Sequence, residues 1–184
     1  MITASLLALT AASACSVGES GGGQQPAPPA SDAVDPALKV ESPKNLAGVS
    51  DSCQLLTAEQ LSALGASGSE PKPSINDQYK EPTCNISNDA FDITVDINTK
   101  NGGMTAANAR RDNFDNFAPT EVAGYPAAQI NADSSVCTVA AGIADDQSIE
   151  VFYAKNAGGT PEMDDACGYA KKITAEVIKN IPSA

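Results

Sequence analysis

Histidine and tryptophan are both absent from this chain of 184 residues. Without histidine, no Ser-His-Asp or Cys-His nucleophile can be assembled, and no histidine-ligated metal site. Acid–base chemistry would fall to carboxylates, Lys, Tyr or Cys. Aromatic residues make up only 4% of the chain, so a core has to be built from Ala, Val, Ile and Leu with a few rings. Basic residues are scarce as well: 11 Lys and Arg stand against 23 Asp and Glu, for a formal net charge of -12. A nucleic-acid binder needs a basic face to displace counterions, which removes nucleic acid as a partner. An anionic membrane surface would repel such a chain, so any hold on a membrane has to be covalent. The direct consequence of the charge is solubility; an acidic face for a basic partner or a cation is the functional alternative.

Long hydrophobic runs are missing too. Residues 2–14 form an apolar, uncharged stretch of small side chains, too short for the roughly 20 residues that span a bilayer. It has the character of a signal peptide's hydrophobic and cleavage regions, without a basic start. Ala12-Ser13-Ala14-Cys15 follows. It resembles a bacterial lipobox, with Ala12 where Leu is usual. Such a motif implies cleavage before Cys15 and a palmitate-bearing diacylglycerol on its sulfur. Ordinary secretory cleavage, leaving Cys15 spare, is the alternative. Residues 15–48 read as a tether: in 16–48, ten of the 33 residues are Gly or Pro and large apolar side chains are sparse. Such a stretch cannot bury enough surface to offset its ordering entropy. As a flexible coil it would span roughly 30 Å. The expected organisation is therefore a leader over 1–14, an anchor and tether over 15–48, and one extracytoplasmic domain over 49–184.

Four cysteines lie in that domain: Cys53, Cys84, Cys137 and Cys167. An even number outside the cytoplasm points to disulfides, and the odd fifth is the one in the lipobox. Four cysteines allow three pairings, and spacing alone does not choose among them. The favoured set is Cys53–Cys84 with Cys137–Cys167. Each closes about 30 residues, worth roughly 3–4 kcal/mol in the loop-entropy view. Cys53–Cys167 with Cys84–Cys137 is the runner-up. With no CxxC pair, zinc is not indicated.

The expected fold is α+β: a mainly antiparallel sheet with about three helices, in the order α-β-β-α-β-β-β-β-α. Thr57-Ala58-Glu59-Gln60 is a capping box that opens a helix over 57–64, with Gly65 as its stop. Residues 67–82 contain Pro71, Pro73 and Pro82 and read as a loop. Strands are expected at 83–87 and, most clearly, at 91–98, where Phe91, Ile93, Val95 and Ile97 alternate with Asp92, Thr94, Asp96 and Asn98. A second helix is expected over 105–117, anchored by Phe114 and Phe117 and stopped by Pro119. Tyr125-Pro126 would turn a pair of short strands at 121–124 and 127–131. Further strands follow at 136–143 and 147–153. The closing helix starts at Thr160-Pro161, has Glu162, Asp164 and Asp165 at its positive end, and stops at Pro182.

Several residues have chemistry to be weighed. Asp92 and Asp96, with Thr94 and Asn98, place oxygens on one strand face where Ca²⁺ could bind, although no calcium loop surrounds them; a solvated strand face is the plainer reading. Asp145-Asp146 reads as a turn. Asp164-Asp165 reads as a response to the helix dipole. Gly21-Gly22-Gly23 and Gly158-Gly159 lack the lysine and strand–helix setting of a phosphate loop. Asn85-Ile86-Ser87 is a glycosylation sequon by pattern only. Tyr125, Tyr153 and Tyr169 could line a pocket or sit at the rim of the core. No catalytic residue, metal or cofactor is indicated.

One larger pattern remains. Cys53-Gln54-Leu55-Leu56-Thr57 enters a helix and Cys84 lies on a strand; Val122-Ala123-Gly124-Tyr125-Pro126-Ala127 and Cys137-Thr138-Val139 follow. Asp165-Ala166-Cys167-Gly168-Tyr169-Ala170 and a closing Ile181-Pro182 complete it. Over about 50–182 this resembles the actinobacterial lipoprotein family called domain of unknown function 3558, with Ile86 where many members carry Trp. The resemblance implies a cell-envelope lipoprotein anchored at the outer face of the membrane, or otherwise secreted. The missing catalytic set favours a non-catalytic module binding an envelope protein or a small ligand. A carboxylate-dependent envelope hydrolase and a purely structural protein are the alternatives.

Overall fold

The computed structural model describes residues 35–184 except 79 and 101. The leader over 1–14, Cys15 and the first part of the tether lie outside the described residues.

Seven antiparallel strands form one sheet: β1 (Lys72–Ile75), β2 (Pro82–Ser87), β3 (Phe91–Asn98), β4 (Phe117–Val122), β5 (Tyr125–Ile130), β6 (Val136–Gly142) and β7 (Ser148–Lys155). Their spatial order is β1-β2-β3-β7-β6-β5-β4. Three α-helices accompany them: α1 (Ala58–Ala63), α2 (Gly103–Ala109) and α3 (Ala166–Asn180). The α+β class and the antiparallel sheet are as the sequence leads one to expect. The alternation from Phe91 to Asn98 forms β3 at those bounds, with Phe91, Ile93, Val95 and Ile97 all buried.

The principal core lies between one face of the sheet and α3, which presents Ala170, Ile173, Val177 and Ile178 to it. Val95, Val139 and Val151 stand opposite one another on β3, β6 and β7 and make its centre. At the far end, Phe91, Tyr153 and Tyr169 form a cluster of tilted rings with centroids 5.0–6.3 Å apart. A second, smaller apolar cluster covers the opposite face, where Met104 and Ala107 of α2 pack on Ala128, Ile130 and Ala140, with Phe114 and Phe117 alongside.

Both favoured disulfides are present. Cys53, in the 3-10 turn Ser52–Leu55, joins Cys84 on β2, and Cys137 on β6 joins Cys167 on α3. Each cross-link ties an element outside the sheet to a strand inside it.

Five expectations are corrected. The domain begins earlier than residue 49: Leu46 is fully buried and Val40 nearly so. Their segment is held by Lys44 N donating to Ile143 O at 2.8 Å and Leu46 N to Gln147 Oε1 at 2.7 Å. Two isolated apolar side chains produce no period, so composition hides them. The proline-rich stretch 67–82 contains β1, whose Pro73 is tolerated because β1 is an edge strand. The second helix is shorter than 105–117. It ends at Ala109, a 3-10 turn takes Arg111–Asn113, and Phe117 opens β4. Asn116 accepts from Ala132 N at 2.9 Å and donates to Ala132 O, and Phe117 pairs with Ile130, so contacts with β5 and the loop after it take this stretch as strand. The β4–β5 turn is Ala123-Gly124, both at positive φ, and not Tyr125-Pro126. That two-residue geometry matches the right-handed twist of a hairpin. Finally, Thr160-Pro161 opens only the 3-10 turn Pro161–Asp164; α3 starts afresh at Ala166, where Asp165 accepts from Gly168 N at 2.9 Å.

Candidate functional site

The two faces of the sheet differ in what covers them. Alternation on β7 sends Ile149, Val151 and Tyr153 into the principal core and leaves Glu150 and Phe152 on the other side. Register then sets their neighbours. Glu150 stands opposite Asp96 on β3 and Ala140 on β6, and Asp96 stands opposite Thr83 on β2. The next row runs Ile130, Thr138, Phe152, Thr94 and Asn85. The second face is therefore apolar beneath α2 and turns polar from β7 to β2.

A cleft of about 320 Å³ opens where these two halves meet. It is lined by Gln78, Arg110, Asn113, Phe114, Ile130, Asn131, Thr138 and Glu150. Arg110 caps the end of α2, and its Nε donates to Ala106 O at 3.2 Å, which fixes the base of the guanidinium. Asn131 accepts from Asp115 N at 3.1 Å, which holds the loop wall in place. Among the described residues, no ion pair joins Arg110 to Glu150. The cleft is lined by a cation, an anion, several amides, a hydroxyl, and an apolar floor from Phe114 and Ile130. Outside the lining of the cleft but on the same sheet face, Asp96 Oδ1, opposite Glu150, and Thr83 Oγ1, opposite Asp96, are buried with no hydrogen-bond partner among the described residues.

Two other recesses are chemically plainer. One, of about 390 Å³, lies between the incoming segment and the end of α3, against Asn45, Gln54, Leu55 and Asn180. It has no charged side chain. The other surrounds Glu81, which is 3% exposed. Its carboxylate accepts from Thr99 N at 2.6 Å and from Thr99 Oγ1, with Lys100 Nζ at 3.7 Å. These partners account for the burial of that charge.

The residues singled out from sequence fall as follows. Asp92 and Asp96 share a face but diverge in role: Asp92 accepts from Asn156 Nδ2 at 3.1 Å, while Asp96 faces Glu150. No group of three or more Cys, Asp or Glu suited to a metal occurs among the described residues. Asp145-Asp146 is in the β6–β7 turn. Asp164 pairs with Lys155 at 2.8 Å and Asp165 caps α3. Asn85 is engaged with Ser74 and Thr94 on the sheet. The three tyrosines are core residues: Tyr153 donates to Met163 O, Tyr169 to Leu64 O and Tyr125 to Ser42 O. Burial raises the pKa of all three, that of Tyr153 to about 12. Arg110, Glu150 and Thr138 were not among the candidates. Alternation on β7 places Glu150 off the core face, but setting it opposite Asp96 and in the cleft that Arg110 also lines requires strand order and the docking of α2.

The family profile described as Protein of unknown function (DUF3558) matches residues 10–180. No curated protein and no solved structure matches the chain.

Proposed function

From the premise that the chain belongs to the DUF3558 family of proteins of unknown function, we propose that it is an exported lipoprotein, anchored through Cys15 to the outer face of the cell membrane, whose domain acts there as a binding module. The observation that carries the address is the cysteine arithmetic: of five cysteines, four are consumed in two disulfides. Disulfides of this kind persist in oxidising compartments. The remaining thiol is the one that ends the apolar leader in a lipobox-like Ala12-Ser13-Ala14-Cys15. The actinobacterial lipoproteins that the motif pattern resembles support the same address. No helix among the described residues is long and apolar enough to cross a membrane; the anchor in this reading is the lipid on Cys15. The mixed-charge cleft supports the binding role.

Expression of the whole chain in a bacterium, with membrane fractionation and intact-mass analysis, tests this. The expected product begins at a diacylglyceryl-modified Cys15, carries four oxidised thiols and stays with the membrane; Cys15→Ala goes to the medium. An unmodified Cys15 in the native product, or a free Cys53, overturns it.

A second reading has one specific observation in its favour. Asp96 and Glu150 are direct cross-strand neighbours. Such neighbours have Cβ atoms about 4.5–5.5 Å apart, and retaining glycoside hydrolases hold two carboxyls at about 5–5.5 Å. Envelope-glycan hydrolysis abolished equally by Asp96→Asn and Glu150→Gln would establish it; absence of turnover by the native protein would remove it.

A further inference from the structure

We propose that two prolines, Pro73 on β1 and Pro119 on β4, close both open edges of the sheet against strand addition and so keep the domain from pairing edge to edge with a second copy of itself. The inference does not rest on the binding-module reading.

Strand order creates the hazard. β1 and β4 are the two ends of the sheet. In an antiparallel pair, alternate residues turn their backbone groups toward the neighbouring strand, and the residues between them turn theirs away. Single hydrogen bonds beyond each strand fix which residues do which. Asn76 N donates to Glu81 O at 2.8 Å, in line with the β1–β2 register. Lys72 and Ser74 therefore bond inward, while the backbones of Pro73 and Ile75 face the open side. Asn131 N donates to Asn116 O at 3.3 Å, in line with the β4–β5 register. Ala118, Thr120 and Val122 therefore bond inward, while Phe117, Pro119 and Glu121 face out.

Both prolines thus occupy outward positions, and both are exposed. Proline has no N–H, so at an inward position it would break the native ladder. At an outward position it costs the native sheet nothing and removes a donor that an added strand would need. The effect is greatest on β4. Two copies of β4 paired antiparallel about position 119 would set Phe117 across from Glu121, so no like charges would meet. Side chains do not forbid that pairing; the missing central donors do. On β1 every residue is exposed, and Ile75 is 60% exposed. An apolar side chain on an open edge invites association, and Pro73 removes the outward donor next to it.

The test uses the full chain carrying Cys15→Ala, so that neither a lipid nor a spare thiol links copies. Light scattering gives the mass over a wide range of concentration, and amide hydrogen exchange reads the edges. The native edges are expected to be monomeric, with fast exchange at Ile75, Phe117 and Glu121 and slower exchange at Ala118 and Thr120. Pro119→Thr should reach the mass of a dimer as concentration rises, and exchange at Phe117 and Glu121 should slow roughly tenfold or more as open amides become bonded. Pro119→Val restores the same donor with a different side chain, so a folding defect in one substitution, seen in thermal melts, leaves the other to decide. Pro73→Val combined with Pro119→Thr opens two separate edges and should carry association past the dimer. Ala118→Thr, one position along but bonded inward, should stay monomeric. Native edges that already self-associate, with Phe117 or Ile75 protected, would overturn the proposal. So would folded position-119 variants that stay monomeric at every concentration, or association by Ala118→Thr equal to that of Pro119→Thr.

Discussion

Tyr169 on α3 donates its hydroxyl to Leu64 O, 2.9 Å away at the end of α1. Residues 105 positions apart in sequence are thereby joined inside the core. Tyr169 is 1% exposed, so the bond has no water to replace it. Removing the hydroxyl leaves a buried carbonyl unsatisfied, which costs about 1–3 kcal/mol. Tyr169→Phe should lower the urea midpoint accordingly with an unchanged slope. An unshifted midpoint would show that the bond adds nothing.

Alkaline pH should unfold the domain through its tyrosines. Burial raises Tyr153 to about 12 and pushes Tyr169 upward as well, with Asp164 and Glu162 nearby adding to the effect. A folded-state pKa above the unfolded value means that the folded state holds its protons longer. Stability from these groups is complete below about pH 10 and is lost as pH rises through the folded values. A pH titration of the urea midpoint should be flat from neutral to about 10 and then fall. Tyr153→Phe should flatten the fall; a fall that begins near neutrality would contradict the assignment.

Opening the Cys137–Cys167 cross-link should cost more than any single hydrogen bond. It closes a separation of 30 residues, for which the loop-entropy view gives about 3–4 kcal/mol. A Cys137→Ala/Cys167→Ala double variant of a domain this size should melt roughly 6–16 °C lower. A melt within a degree or two of the native value would mean that the unfolded chain is already constrained there.

Gly103 and Gly48 form a matched pair. Gly103 begins α2 at φ +56°, and a Cβ placed there would come within 2.9 Å of Asp145 O and 3.0 Å of Ala144 O, both backbone atoms. Gly48 has nothing within 4 Å. Gly103→Ala should therefore destabilise by about 1–3 kcal/mol, the usual range for a strained residue in a sparsely populated region. Gly48→Ala should be neutral within about 0.5 kcal/mol. Equal effects in thermal melts would show that the approach of α2 to the β6–β7 turn relaxes freely.

Local patterns in this chain were legible because their physics is local. The period of two from Phe91 to Asn98 is a strand whatever surrounds it, and the reciprocal bonds of Thr57 and Gln60 need only one helical turn. Cysteine count and the absence of histidine fixed the kinds of chemistry and cross-links open to the chain. What the sequence could not display depends on contacts between distant segments. Leu46 reads as tether until it meets the core, Lys72–Ile75 reads as loop until β2 pairs with it, and Phe117 reads as helix until β5 does. The candidate site belongs wholly to this second class. Asp96 and Glu150 are neighbours only because β7 inserts beside β3, and Arg110 reaches the same cleft only because α2 lies across that face. Side-chain alternation decides which residues leave the core; strand order and helix docking decide which of them meet.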